Sequence, residues 1–266
     1  AAPAAPSAPV PPGAAVVPFD VRLLAEVCRA SAADLETPAP PEPEPAAAAT
    51  PPADATATPV AAFVTRGLLD PGERGSGLAV GPSGALLCRV DGTMILRLDR
   101  GAAVTGELEF AAAVRRVRGR NTEEPLGGET PLYVVRGAGA VLSLPCGRGR
   151  FVALTLDDDI VYVREEAVFG FSDELHWEAG RIPGLAAACP MLQLRGRGAL
   201  ALWIEGTLTP VKLERGQSMG VDAAALYGWV GRVVPHALAV PGTGGRHVGC
   251  TGEGVLLLQD PGDTPR

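Results

Sequence analysis

Three observations predict an all-β fold for most of this chain. From about Ala61 to Pro261, apolar residues come in short runs that alternate with polar ones, the period of a strand with one buried face. Glycine punctuates these runs every few residues, as expected where a chain turns or two strands approach closely. Leu108 to Val117 is the one segment there with the 3.6-residue stripe of a helix.

The chain before that stretch has another texture. Residues Ala1 to Val16 and Thr37 to Pro59 are Pro/Ala tracts that bury too little apolar surface to offset the entropy of ordering, so residues 1–60 are expected to form a disordered tail. Within it, "FDVRLLAEVCRASAADL" places Leu24, Val27, Cys28, Ser31 and Leu35 at helical spacing behind a capping Asp20, which predicts a short amphipathic helix over 20–35. The β body is expected over 61–262. With 47% hydrophobic residues in 266, it has enough apolar material for a substantial core.

Inside the body, "ALLCRVDGTMILRL", "RFVALTLDDDIVYVRE" and "LALWIEGTLTPVKL" read as strand, turn, strand, with Asp-Gly, Asp-Asp and Glu-Gly at the bends. Two phrases recur. "RGAGAVLSL" from Arg136 is echoed by "RGRGALAL" from Arg195, their first glycines 59 residues apart. "VREEAVFGF" from Val163 is echoed by "VDAAALYGW" from Val221, an offset of 58. "RGSGLAV" and "TGEGVLLL" flank the first pair, and "VDGTMILRL" from Val90 is a diverged copy of the second. The reading is about three pseudo-repeats of roughly sixty residues packed into one β structure. Matched rings at Phe169, Phe171, Tyr227 and Trp229 are expected in the core.

The glycine pairs, Gly75/Gly77, Gly137/Gly139, Gly196/Gly198 and Gly252/Gly254, are each followed by alternating apolar residues, hence by a strand. A dinucleotide fingerprint needs a helix there to carry the anion on its N-terminus, so these glycines are structural. The last copy, Gly252 to Leu258, is expected to pair near the first and close the structure, since an apolar free edge invites aggregation.

The succession "LLCRVDGTMI", "GAGAVLSL", "VREEAVFGF", "GRGALALWIEG", "LERGQSMGVDAAALYGW" and "TGEGVLLL" resembles the mitochondrial biogenesis family named for altered inheritance of mitochondria, through its bacterial relatives, over about Phe63 to Asp260. The resemblance implies a β-sandwich or double-stranded β-helix similar to the tryptophan RNA-binding attenuation protein fold, with three pseudo-repeated units and no catalytic motif to carry over. This chain has "DPGD" at Asp260 to Asp263 where that family has "GPG".

Chemistry-bearing clusters are sparse. His176, His236 and His247 form no H-x-H pair, so no metal site and no cofactor are expected. "LDDDI", Leu156 to Ile160, reads as a solvated hairpin turn, and Glu165 and Glu166 as opposite faces of one strand. The basic run "VRRVRGRN", with Arg115, Arg116, Arg118 and Arg120, reads as a solvated loop over 114–120 that could contact RNA. A net charge of −7 argues against a general nucleic-acid or membrane surface. Arginine outnumbers the single lysine, Lys212, which reads as genomic composition rather than guanidinium chemistry.

Five widely spaced cysteines suit a reducing compartment. There is no apolar run of membrane-spanning length and no signal segment, so a bacterial cytoplasmic location is expected. These features together favour a non-enzymatic scaffold or protein-interaction module, its β body tethered by an arm whose Leu24, Val27 and Leu35 dock on another protein. The alternative is a small-ligand binder or enzyme with a pocket between the sheets.

Overall fold

The computed structural model describes residues 58–72, 75–185, 189–240 and 246–260. The expected helix over 20–35 and its residues Leu24, Val27 and Leu35 lie outside them. The chain from Val60 is nearly all β. It runs through a short helix α1 (Val60–Gly67), then β1 (Gly77–Val80), β2 (Leu86–Arg97), β3 (Gly101–Ala112), β4 (Val114–Val117), β5 (Arg120–Pro125) and β6 (Leu132–Ser143). β7 (Gly149–Arg164) leads through a single 3-10 turn, Glu165–Ala167, into β8 (Val168–Ser172) and β9 (His176–Arg181). β10 (Pro190–Glu205), β11 (Leu208–Leu213), β12 (Ser218–Asp222), β13 (Leu226–Leu238) and β14 (His247–Gln259) complete it.

Every strand pairing is antiparallel. One large sheet follows the path β11-β14-β13-β7-β10-β8-β2-β6-β3, with β1, β9 and β12 attached to β2, β10 and β14. The β4–β5 hairpin stands apart as a second sheet.

Long strands change partners part-way along. β10 is paired with β7 throughout, but its other side meets β9 over Pro190–Arg195 and β8 over Leu200–Leu202. β14 meets β12 up to Thr251 and β11 from Gly254. β2 meets β1 up to Arg89 and β8 from Met94. The break falls at Gly196/Gly198, at Gly252/Gly254 and at Asp91-Gly92. A strand that passes from one neighbour to another has to bend, and bends of this kind are made with glycine or a bulge.

The backbone shows why glycine stands there. The first glycine of each pair has positive φ: Gly75 at 103°, Gly137 at 125°, Gly196 at 109° and Gly252 at 114°. The second meets a neighbouring chain where a side chain would not fit. A Cβ on Gly139 would lie 2.1 Å from the Thr105 carbonyl oxygen, one on Gly254 2.2 Å from that of Val230, and one on Gly198 2.4 Å from Ser172 Oγ. Gly77 is roomier, with Arg89 Nη2 at 3.9 Å.

Several sequence expectations are corrected by this arrangement. "ALLCRVDGTMILRL" and "RFVALTLDDDIVYVRE" contain no hairpin turn. β2 and β7 run straight through, bending at Gly92 (φ 107°) and at Asp158 (φ 59°). Their apolar ends are buried and their polar middles exposed, which imitates two strands and a turn. "VRRVRGRN" is not a loop but the β4–β5 hairpin, turning at Arg118 and Gly119. Leu108 to Val117 is strand rather than helix. β14 does not pair near the first copy. It is covered on both sides by β11 and β13, so it presents no free edge. A short helix, α1, precedes the first strand.

Three buried clusters form the core, one around Phe171, Leu192 and Tyr227, one around Met94, Phe151 and Phe169, and one around Ile182, Trp229 and Leu256. The four matched rings are thus all buried, but they serve three clusters rather than one layer. Tyr162 stacks on Trp229 with centroids 4.8 Å apart, and Phe151 meets Phe169 edge-on at 4.6 Å.

Because Gly139 faces backbone, Gly139→Ala is expected to cost more than about 2 kcal/mol in urea unfolding, against under about 0.5 kcal/mol for Gly180→Ala, which meets nothing within 4 Å.

Candidate functional site

The polar groups of the body fall into two sets. The first closes the joints between long strands. Arg97, last residue of β2 and buried, donates from Nε to the Val168 carbonyl at 3.1 Å and from Nη2 to the Glu165 carbonyl at 3.2 Å. Its Nη1 is held by the Thr130 carbonyl and hydroxyl. Arg164, last residue of β7, repeats the geometry with the same atoms. Nε donates to the Leu226 carbonyl at 2.8 Å and Nη2 to the Ala223 carbonyl. Val168 and Leu226 each begin a strand, and both pairs of acceptors are offset by 58 residues. The neighbouring ladders match too. β8 skips Phe169 against β10, and β13 skips Tyr227 against β14, so each ring sits on a bulge.

A cavity of about 320 Å³ opens at these joints, lined by Arg97, Asp99, Arg100, Arg164 and Glu166 with Trp203 as a wall. Most of its cationic donors are already spent. Arg164 Nη1 pairs with Glu166 at 2.9 Å, and Arg100 lies 3.9 Å over the Trp203 ring. Burial pulls Arg97 below the ordinary arginine value, against the opposing fields of Asp99 and Glu165. The group stays charged because those carbonyls and carboxylates surround it.

The second set concerns the basic hairpin. Arg115 is not part of a free contact surface: its Nη2 pairs with Glu165 Oε1 at 3.0 Å and its Nη1 with Glu124 Oε2 at 2.7 Å. Burial opposes its charge, but hydrogen bonds to both carboxylates outweigh that and raise its pKa. Glu165 sits in the 3-10 turn and is 1% exposed, taking a third bond from the Gly127 N–H at 2.6 Å. Glu166 is exposed and turned to Arg164. The two glutamates do point apart, but from a turn, not from a strand. Arg116, Arg118 and Arg120 remain exposed.

The other candidates are brought together only partly. Asp157 and Asp158 are matched by Arg197 at 2.9 and 2.7 Å, while Asp159 accepts from the Asp157 N–H. His176, His236 and His247 belong to β9, β13 and β14 and share no cluster of metal-ligating side chains among the described residues. Burial pushes the Cys88 thiol up to about 12 and that of Cys250 to about 11. Burial also raises Cys189, with Arg164 opposing. None of these three is activated as a nucleophile. Among the described residues, no helix is long and apolar enough to cross a membrane.

The strand order and its joints can now be set beside known proteins. The model of the mitochondrial biogenesis AIM24 family matches residues 80–263. The chain belongs to that family. Comparison with curated proteins finds no match. Among solved structures, the crystal structure of a Streptococcus pyogenes protein is similar at 16% identity with a TM-score of 0.51, covering 70% of this chain and 92% of the other. At that identity the likeness shows the AIM24-family chain's fold alone.

The sequence reading passed over Arg97 and Arg164 in this AIM24 relative by treating arginine as genomic. The signal was present: each ends an apolar alternation, in "MILR" and "VYVR", where a strand still buried on both sides has no solvent for a charge.

Arg97→Met removes the donors to the Val168 carbonyl, to the Thr130 oxygens and to the Glu165 carbonyl, which also accepts from the Val168 N–H. It is expected to cost about 2 to 4 kcal/mol in denaturant unfolding, whereas Arg120→Ala stays within about 0.5 kcal/mol. The raised Cys88 pKa sets a pH dependence. The unfolded thiol ionises near 9.0 and the buried one not until about 12, so deprotonation favours the unfolded chain and stability falls between those values. Thermal melts from pH 8 to 11 should show the decline, and Cys88→Ala should reduce its slope, leaving the part contributed by Cys250 and Cys189.

Proposed function

We infer that the chain is a non-enzymatic interaction module, a β body carrying an N-terminal arm through which it docks on another protein. One observation carries this reading. In α1 no residue is buried: Val60 is 78% exposed, Phe63 74% and Val64 49%, and Leu68, the extended residue just past its end, is 69% exposed. Within the helix Val60, Phe63 and Val64 fall at i, i+3 and i+4, an apolar stripe left exposed by the described residues. An exposed phenylalanine on an eight-residue helix gains nothing for the monomer. Burial against a partner groove would recover roughly 1.5 to 3 kcal/mol for that side chain alone.

On this reading the Pro/Ala region 1–60 is a flexible arm, and the stripe Leu24, Val27 and Leu35 is a second docking element on it. The β body is a sandwich or double-stranded β-helix of three pseudo-repeats. The common 58-residue offset of the arginine acceptors and of the bulged rings supports that division. Cys88, Cys146, Cys189 and Cys250 are free thiols, which suits a reducing, cytoplasmic setting.

A photo-crosslinking amino acid at Phe63 tests the docking helix in cells producing the full chain. The reading expects a discrete adduct from that position and none from Glu107 on the exposed part of β3. Adducts from neither position, or equally from both, would remove α1 as a docking element.

A further inference from the structure

The fold assembles a basic cleft that no stretch of sequence contains. Arg116 of β4, His176 of β9 and Arg195 of β10 line a small cleft of about 60 Å³. Arg118 at the hairpin tip and Arg181 at the end of β9 line an open cleft of about 820 Å³. Glu178 borders both, so the two are neighbours along β9. Arg195 and His176 are direct cross-strand partners. All four arginines are exposed.

Among the described residues none of these four guanidiniums forms an ion pair, in contrast to Arg115, Arg164, Arg197 and Lys212. The two clefts are lined by four arginines and one carboxylate, Glu178, on a chain whose net charge is −7. Gathering like charges without a counter-ion is unfavourable, and an anion placed between them reverses the sign of that energy.

We propose that this cleft binds a small phosphorylated molecule, with its phosphoryl group between Arg116 and Arg195 and its remainder in the larger cleft beside Arg118 and Arg181. The guanidinium fork matches phosphoryl oxygens in pairs. The small cleft suits a single anion, and the adjoining one has room for the organic part. Glu178, at the border, accepts hydrogen bonds and so selects a ligand with hydroxyl or amino donors next to its phosphate. A nucleic-acid strand fits less well. Single-strand binding needs open aromatic faces, and the large ring of the patch, Trp177, packs edge-on against buried Phe171 at 6.0 Å.

Titration calorimetry of the full chain at low salt, with inorganic pyrophosphate and with adenosine monophosphate, tests the site. The proposal expects saturable one-to-one binding of both, weakened about tenfold by Arg116→Ala and again by Arg195→Ala, and unchanged by Arg120→Ala, an exposed arginine outside both clefts. Melting temperatures equal to the parent confirm that the variants are folded. Glu178→Ala should weaken adenosine monophosphate more than pyrophosphate. Absence of saturable pyrophosphate binding, or equal losses from all three arginine variants, overturns the site. Tighter binding of a twelve-nucleotide single-stranded RNA that also falls with Arg120→Ala would replace it with a nucleic-acid surface.

Discussion

The long strands of this sheet depend on bends at which backbones come closer than a side chain permits. A strand of sixteen residues such as β7 or β10 would span about 53 Å if straight, at ~3.3 Å per residue. A compact body of some 200 residues has a radius of gyration of only roughly 16 Å. Such strands must bend inside the fold: β14 bends where β12 gives way to β11, whereas β6 bends while staying paired with β2 and β3. At Gly137/Gly139 and Gly252/Gly254 a positive φ turns the chain, and the missing Cβ lets a facing carbonyl approach. Asp158 shares only the positive φ, turning β7 with a short polar side chain of the type that tolerates the left-handed region well.

Bending exposes a second problem, because a strand leaving its partner abandons carbonyls in a buried place. Arg97 and Arg164 meet it with a planar fork. Nε and Nη2 lie in one plane at fixed separation and reach two carbonyls three residues apart, Val168 and Glu165 in one joint, Leu226 and Ala223 in the other. A lysine carries three donors on one atom and has no second nitrogen for the distant carbonyl. The scarcity of lysine looks like genomic composition, yet at these two positions guanidinium geometry is required. Glu165 then closes the circuit. Its carbonyl accepts from Arg97 while its carboxylate receives Arg115 and the Gly127 N–H, tying the β4–β5 hairpin to the same joint.

What could be read from the sequence was whatever depends on near neighbours. Period-two alternation gave the strands, and the apolar continuation after each glycine pair excluded a phosphate loop. The buried rings at Phe169, Phe171, Tyr227 and Trp229 were visible as a matched pair of phrases. What could not be read depends on which segments meet. A polar stretch such as Asp157–Asp159 looks identical in a hairpin turn and in the exposed middle of a strand, since both are solvated. Arg115 looked like its neighbours Arg116 and Arg118 until the fold carried Glu165, fifty residues later, beneath it. The company of Arg116 and Arg195 was hidden for the same reason, because it is made by β9 lying between β4 and β10.

The division of charges follows from this economy. Inside the body, Arg97 and Arg164 are bonded to backbone carbonyls and Glu165 to Arg115 and the Gly127 N–H, and burial raises the pKa of the Cys88 thiol. At the periphery lie groups outside that network: the exposed apolar side chains of α1 and, among the described residues, arginines beside β9 that form no ion pair. The antiparallel ladder holds Arg195 and His176 opposite each other at fixed spacing. Arg195 is fixed in place by a strand paired with β7 along its whole length. An arginine on a mobile loop would have to surrender conformational entropy to meet a ligand, whereas one on β10 has already surrendered its backbone share to the fold.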